Sequence, residues 1–469
     1  MANYQRKTQI MAFPSLIFSG SVIYMFKPLL VSGLLASLLA NASFAADAPK
    51  IADKEAVKAE QFFPIMTYRS YTAGAIMFGA FTDYLAMINA RDGGINGVRL
   101  SWEDCDSEYK TDKGIECYEK LKKQGTHGAS AFALLQTSLA YALIERSTED
   151  KIPLITLGSG RSDATDGSVF PYVFPLVANY WRQNVAKIQF IAEREGGLEK
   201  LKGKKIVNLY HNSAYGKETL AVLDAQAEKY GFSVEHFSIN PPGIEQQGIW
   251  LQIRRTKADW VILRGFGAMN STALKEAKRA GFPIDHIIGS AWSSSEEDTQ
   301  PVGDAAKGFI AASFNGGGDD FRVITDIKQR IYADNKGHVD EKHIGSIYYN
   351  RGIVLGILSS EAVRVAQEKF GKQPLTGEQV RWGYEHLDLT EARLKELGAE
   401  GLISPMKTAC ANHEGGGKMQ FHQWDGEKWK VISGWIAADD SFVKPLMQAS
   451  VAQYAKEHHI IPRDCSLNP

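Results

Sequence analysis

The chain has 469 residues, with 53 Lys and Arg against 54 Asp and Glu and a hydrophobic share of 44%. That length accommodates two or three globular domains. The near balance of charge excludes the basic excess expected of a nucleic-acid binder.

The N-terminal segment reads as a targeting signal. Lys27 precedes an apolar run over 29–40, and Ser43-Phe44-Ala45 is a small-x-small cleavage site. These are the three regions of a secretory signal. The run falls short of the roughly 20 apolar residues a membrane span needs. Residues 1–45 are therefore expected to be a cleaved signal peptide. Met25 is an alternative start, because the stretch before Lys27 is long for an n-region. Residues 46–61 are a flexible lead-in, and no later run is long and apolar enough for a bilayer. The mature protein is expected to be exported and not membrane-embedded.

Export makes the cysteines interpretable. An even count, Cys105, Cys117, Cys410 and Cys465, suggests disulfides in an oxidising compartment. Cys105 and Cys117 are close in sequence, on a strand end and the next helix. Cys410 is then left with Cys465, a pair that would tie the tail down. Four buried free thiols are the alternative. A zinc site has no support without paired C-x-x-C spacing.

The elements follow in order. A strand over 62–66 precedes a polar, aromatic loop over 67–74. Met77, Phe81, Tyr84, Leu85 and Ile88 mark a helix, and Val98, Leu100 and Trp102 alternate as a strand. A helix around 115–121, a strand over 129–134, a helix over 137–147 and a strand over 152–157 complete a βαβαβαβ run, the pattern of a mostly parallel sheet covered on both faces. Residues 171–175 form a stiff, proline-flanked passage. The alternation then restarts. Helices are expected over 180–192, 215–230, 246–256 and 271–280, with strands over 206–210, 233–239, 259–263 and 286–289. Beyond Gly316 the pattern becomes helical, over 321–333, 344–370, 375–386 and 390–397. Strands over 419–424 and 429–435 flank Asp425-Gly426, a hairpin signal.

No catalytic set assembles. Gly158-Ser159-Gly160 and Gly265-Phe266-Gly267 each follow a strand, but Asp163 and Asn270 stand where a dinucleotide fingerprint needs its third glycine. His413, His422, His458 and His459 fit no metal spacing, and no G-x-S-x-G elbow is present. Neither cofactor nor metal is expected. What recurs instead, at one edge of two successive sheets, is a series of small polar and aromatic residues: Tyr68, Tyr71, Gln136, Thr137, Ser138, Gly158, Ser159, Tyr215, Phe266 and Trp292. A cleft lined this way binds a small molecule by hydrogen bonds and ring packing.

Six passages together resemble a known family. They are FGAFTDYLAMINARDGGINGVRLSWEDCD (78–106), KIPLITLGSG (151–160), YHNSAYGKE (210–218), ADWVILRGFG (258–267), AAKGFI (305–310) and GKMQFHQWDG (417–426). The chain resembles the type I periplasmic solute-binding proteins of ABC importers, of the leucine/isoleucine/valine-binding kind, over nearly all of 62–435. The resemblance implies an α/β fold of two Rossmann-like lobes joined by three crossing strands, with the ligand held between lobes that close on it. The lobes are placed at 62–174 with 311–402, and at 175–310 with 403–435, leaving 436–469 as a C-terminal tail. It implies a periplasmic location, a small-molecule ligand, permease subunits as partners and no enzymatic activity. Cys105 and Cys117 match the family's disulfide region. Thr137 and Ser138 fall at its serine-rich ligand turn, Gly158 and Ser159 where a carboxylate is held, Tyr215 at its Tyr-Gly pair, and Phe266 at a ligand-facing aromatic.

One departure bears on the ligand. Amino-acid binders of the family place an acid where this chain reads Gly289-Ser290-Ala291-Trp292, and Glu296 and Glu297 come several residues later. Tyr68, Tyr71 and Phe78 are bulkier than an aliphatic amino acid needs. Arg69 and Arg264, expected near the cleft mouth, favour an anion. The ligand is accordingly expected to be an aromatic or other small organic acid, or an amide, with a branched-chain amino acid as the alternative. Rival readings are a secreted enzyme on the same fold and a ligand-sensing module for a membrane receptor.

Overall fold

In the computed structural model, which describes residues 59–466, the first strand is Gln61–Thr67, buried throughout and apolar between its two end residues. The expected signal peptide and most of the lead-in lie outside the described residues. Gln61–Thr67 pairs in parallel with Leu100–Asp106, from Gln61 opposite Leu100 to Thr67 opposite Asp106. Phe132–Ala133, Leu154–Ile155 and Val173–Phe174 form a second parallel group. The Ser130 N–H donates to the Phe62 carbonyl at 3.0 Å and stitches the two groups into the sheet of the first lobe.

The second lobe carries a larger sheet. Its order is Trp429–Val431, Lys418–Trp424, Ile310–Ser313, Ile287–Gly289, Trp260–Arg264, Lys205–His211 and Ser233–Ile239. The last five are parallel, as helix-connected strands must be. The hairpin strands return antiparallel, turned by Asp425, whose carboxylate accepts from the N–H groups of Glu427 and Lys428, each at 2.9 Å. Two long helices of the first lobe, Thr72–Asp92 and Ile347–Phe370, cross closely because Gly352 has no side chain. A Cβ there would meet the Met77 carbonyl oxygen at 2.2 Å.

The structure departs from the expected elements and boundaries at four places. The helix over 215–230 is broken into Ala214–Lys217 and Leu220–Tyr230, which turns Glu218 toward the first lobe. Ile310–Ser313 is paired throughout in the second sheet, so the boundary expected after Ile310 falls inside a strand. Met406–Lys407 pairs with Asp388–Leu389, beyond the boundary expected at 402. The expected tail is a helix, Asp440–Glu457, with Pro445 inside it. Its first half packs Phe442, Val443 and Met447 on Val185 and Val222 of the second lobe. Its second half packs Val451 and Tyr454 on Val169, Phe170 and Val173 of the first.

Both cysteine pairs are joined, Cys105 to Cys117 and Cys410 to Cys465, with Cα separations of 5.6 and 5.5 Å. The second closes a span of 55 residues and fixes the chain just beyond the C-terminal helix. Chain-entropy reasoning gives a loop of that size about 4 kcal/mol. Cys465→Ser is expected to lower unfolding free energy by about 2–4 kcal/mol in denaturant titrations. Non-reducing peptide mapping should recover the two pairings and no others.

Carboxylates of the second lobe line its seam with the first. Glu218 accepts from the Ser162 N–H at 2.7 Å and from the Tyr141 hydroxyl. Glu296 accepts from the Ile347 N–H at 3.0 Å, Glu297 pairs with His343 at 2.7 Å, and Asp298 accepts from the Tyr348 hydroxyl at 2.8 Å. Burial pushes Glu296 and Asp298 up to about 7 and raises Glu218 as well. An unfolded carboxyl titrates near pH ~4. The folded protein therefore binds more protons at these groups between about pH 4 and 7, and their contribution to stability falls as pH rises through that window. Buried His211 and His422, both lowered by burial, act in the opposite direction. The difference between variant and wild type isolates one group. Asp298→Asn should gain stability relative to wild type, by at least about 1 kcal/mol, between pH 5 and 7.5 in urea titrations. A constant difference would show that Asp298 is ionised throughout.

Candidate functional site

The carboxyl ends of the parallel strands deliver aromatic rings from both lobes to one place. Tyr68 follows the first strand, and its ring lies on Gly74, where a Cβ would meet ring carbons at 2.1 Å. Phe78 packs edge-on behind it at 5.6 Å and supports Tyr68 from the core. Tyr71 sits at the start of helix Thr72–Asp92. From the second lobe, the turn Gly265–Gly267 projects Phe266 against Tyr71 at 5.2 Å, Tyr109 at 5.4 Å and Trp292 at 6.2 Å. The Tyr109 ring lies within 20° of parallel to Phe266. Tyr109 was absent from the sequence-based set. It follows strand Leu100–Asp106 as Tyr68 follows its own, so the strand-end rule could have found it.

The polar residues divide. The Thr137 hydroxyl meets the Tyr180 hydroxyl at 3.2 Å, and Ser138 bonds Thr111 at 2.9 Å and accepts from Gln136 at 3.0 Å. Tyr215 is buried. Its hydroxyl donates to the Gly265 carbonyl at 3.0 Å and lies 2.7 Å from the Ser290 hydroxyl. Gly158 has φ +70°, and its carbonyl accepts from the Gln183 side chain at 2.8 Å. Ser159 does not offer the expected donors. Its hydroxyl donates to the Thr156 carbonyl at 2.6 Å and its N–H to the same oxygen at 2.9 Å. The left-handed turn at Leu157 and Gly158 folds the residue back on its own strand. Arg69 is also elsewhere, paired at the surface with Asp104 and Asp106.

The strongest feature is a pair of fully buried arginines. Arg351, on helix Ile347–Phe370 of the first lobe, is 0% exposed. It donates through Nε to Asn315 at 3.1 Å and through Nη1 to the Ala291 carbonyl at 2.8 Å, and it lies over the rings of Phe314 at 4.4 Å and Trp292 at 5.1 Å. Arg264, at the end of strand Trp260–Arg264, is 0% exposed too. It donates twice to the Tyr215 carbonyl, at 3.0 and 2.8 Å, between the rings of Tyr180 and Tyr215. Neither forms a salt bridge with a carboxylate among the described residues, although buried charges are normally paired. Arg351 Nη2, Arg264 Nη1, the Tyr68 hydroxyl and Trp292 Nε1 are buried donors with no partner among the described residues. Burial brings Arg351 down to about 10, and the Arg351 charge in turn favours ionisation of Tyr68 against a rise caused mainly by burial. Arg351 thus keeps one unsatisfied donor of its own, and its neighbours Trp292 and Tyr68 each carry another.

The acids near this centre are engaged. Asp298 accepts from Asn270 at 3.0 Å and from Tyr348, Glu297 binds His343, and Glu296 caps the start of helix Ile347–Phe370. The arrangement supplies donors and cations to a ligand and no free carboxylate.

A family model described as periplasmic binding protein matches residues 70–428. A solved structure from the Pseudomonas fluorescens group, described as an ABC transporter permease, is 48% identical with a TM-score of 0.82, over 87% of this chain and 100% of that one. Among the described residues here, no helix is long and apolar enough to cross a membrane. The fold is shared with a branched-chain amino acid ABC transporter from Thermus thermophilus with bound valine, at 20% identity and TM-score 0.69 over 82% of this chain and 99% of that one. It is shared also with a solute-binding protein of an ABC transporter from R. palustris in complex with benzoate, at 18% identity and TM-score 0.63 over 81% and 98%. No curated protein matches significantly. Two α/β lobes meeting at strand ends, and the family match across most of the chain, lead to one conclusion: the chain belongs to the periplasmic binding protein family, as a substrate-binding component of an ABC transporter.

Proposed function

We propose that the ligand captured between the lobes is a small organic carboxylate with an aromatic or apolar body and no ammonium group. The observation that carries this reading is Arg351, buried without a counter-charge and flanked by the unpartnered donors of Tyr68 and Trp292. A carboxylate there would receive charge-assisted hydrogen bonds, roughly twice as strong as neutral ones. Tyr71, Tyr109 and Phe266 would enclose the apolar body, with Thr137 and Tyr215 at its polar margin. A zwitterionic amino acid would leave its ammonium facing donors, and burying a charge unpaired is costly. The solved fold neighbours bind valine in one case and benzoate in another. The site chemistry here favours the second kind of ligand.

In this reading the protein is exported to the periplasm by a cleaved signal within 1–45. It binds without chemical change and hands its ligand to permease subunits. The chain passes between the lobes near 175–179, 314–321 and 408–417, and these segments would absorb the motion of closure.

A thermal-shift screen across benzoate-like acids, short-chain acids, amides and amino acids tests the ligand class. A true ligand at 100 times its dissociation constant should add about 2.7 kcal/mol of stability. Arg351→Gln should weaken the best acid by roughly 30-fold or more. X-ray scattering should show a smaller radius of gyration with ligand than without. Tight binding of leucine or valine, unaffected by Arg351→Gln, would overturn the proposal.

A further inference from the structure

A second buried cationic group lies apart from Arg351. Arg264 belongs to the other lobe, and its guanidinium is set among different partners, the rings of Tyr180 and Tyr215 in place of Phe314 and Trp292. Those rings offset part of the cost of burying a cation, yet Nη1 is left without an acceptor. Lys187 extends the group. It sits on helix Tyr180–Glu195, two turns beyond Tyr180, and is 0% exposed with its Nζ unpartnered. Side chains on a helix lean toward its N-terminus, which carries the Lys187 amine toward the Tyr180 end, where Arg264 lies. Burial first, and then the Arg264 charge, hold the Lys187 amine well below its ordinary value. Arg264 is thus a buried charge near a buried amine that is pushed toward its neutral form, with no acid in a salt bridge to either among the described residues. An anion arriving there would pair the guanidinium and favour protonation of the amine.

The tyrosines separate this group from the first. Tyr215 feels both guanidiniums, and Tyr180 lies over Arg264 while acting also on Tyr68. Two buried guanidiniums, one in each lobe, are thus set against aromatic rings, each with one nitrogen unpartnered. We propose that the ligand is a dianion, a dicarboxylate whose first carboxylate binds Arg351 and whose second binds Arg264 with Lys187 in support. The proposal rests on the carboxylate reading above and adds the second charge. It also gives closure a direct cause: a ligand charged at both ends holds a cation of each lobe, so its binding energy is realised only when the lobes meet.

Isothermal calorimetry on the mature chain tests it with matched pairs: benzoate against benzene-1,3- and benzene-1,4-dicarboxylate, and pentanoate and hexanoate against pentanedioate and hexanedioate. At least one diacid should bind about 30-fold tighter than its monoacid. Arg264→Gln should bring that ratio to within about threefold of one, and Lys187→Met should lower it in the same direction. Arg264→Lys, which keeps the charge if the Gln variant fails to fold, should retain part of the preference. The dianion is overturned if every diacid binds no tighter than its monoacid. It is overturned equally if Arg264→Gln weakens both members of a pair alike, which would mean that both arginines grip one carboxylate. If monoacids bind and diacids do not, the carboxylate reading stands alone. If no acid binds, both readings fall.

Discussion

A guanidinium ion removed from water and given no carboxylate is the constraint on which this structure turns. Two buried acids of the protein are paired with cations. Glu385 is met by Arg381, His413 and Arg463 and held down at about 2 by them against its burial, and Glu361 lies between Arg364 and Arg393. Against that habit, Arg264 and Arg351 stand out because their neighbours are rings and carbonyls. Cation–π contact and neutral hydrogen bonds hold each in place without cancelling its charge. The cost is borne by the folded protein and is recoverable only by an anion. A site of this kind is pre-organised for its ligand and unfavourable without it.

The seam of acids is the electrostatic complement of that centre. Glu218, Glu296, Glu297 and Asp298 all come from the second lobe and all bond to groups of the first, so they hold the lobes together and leave the two buried arginines without a carboxylate partner. The C-terminal helix and the Cys410–Cys465 bridge lie across the same two lobes on another side. Arg182 ties Glu414 and Asp440 into this support.

Much of the fold is legible in the sequence because parallel strands are short, apolar and helix-connected. The unit Lys205–Ile239 shows its period in its own residues. Ile310–Ser313 is not legible, since three apolar residues and a serine after a 3-10 segment carry no period of their own. The helix Asp440–Glu457 is hidden because it serves two lobes in succession and contains Pro445, so no single stripe persists. At the site, Tyr68, Phe266 and Trp292 follow from the rule that strand ends line the cleft. Arg351 escapes the rule, because it lies inside a helix and not at a strand end, and only the docking of that helix brings its N-terminal turns to the seam. The turn at Ser159 is hidden for a related reason: its residue type suits a ligand, but the left-handed turn before it sends both donors back to Thr156.

The central claim is that the cleft is built for negative charge, and a pair of ligands identical in shape tests it most directly. Calorimetric titration with benzoate and with benzamide changes only the charge of the head group. The account predicts that the carboxylate binds at least about 30-fold tighter than the amide, and that the gap closes in Arg351→Gln. Equal affinity for the two in the wild-type protein, or tighter binding of the amide, would contradict it.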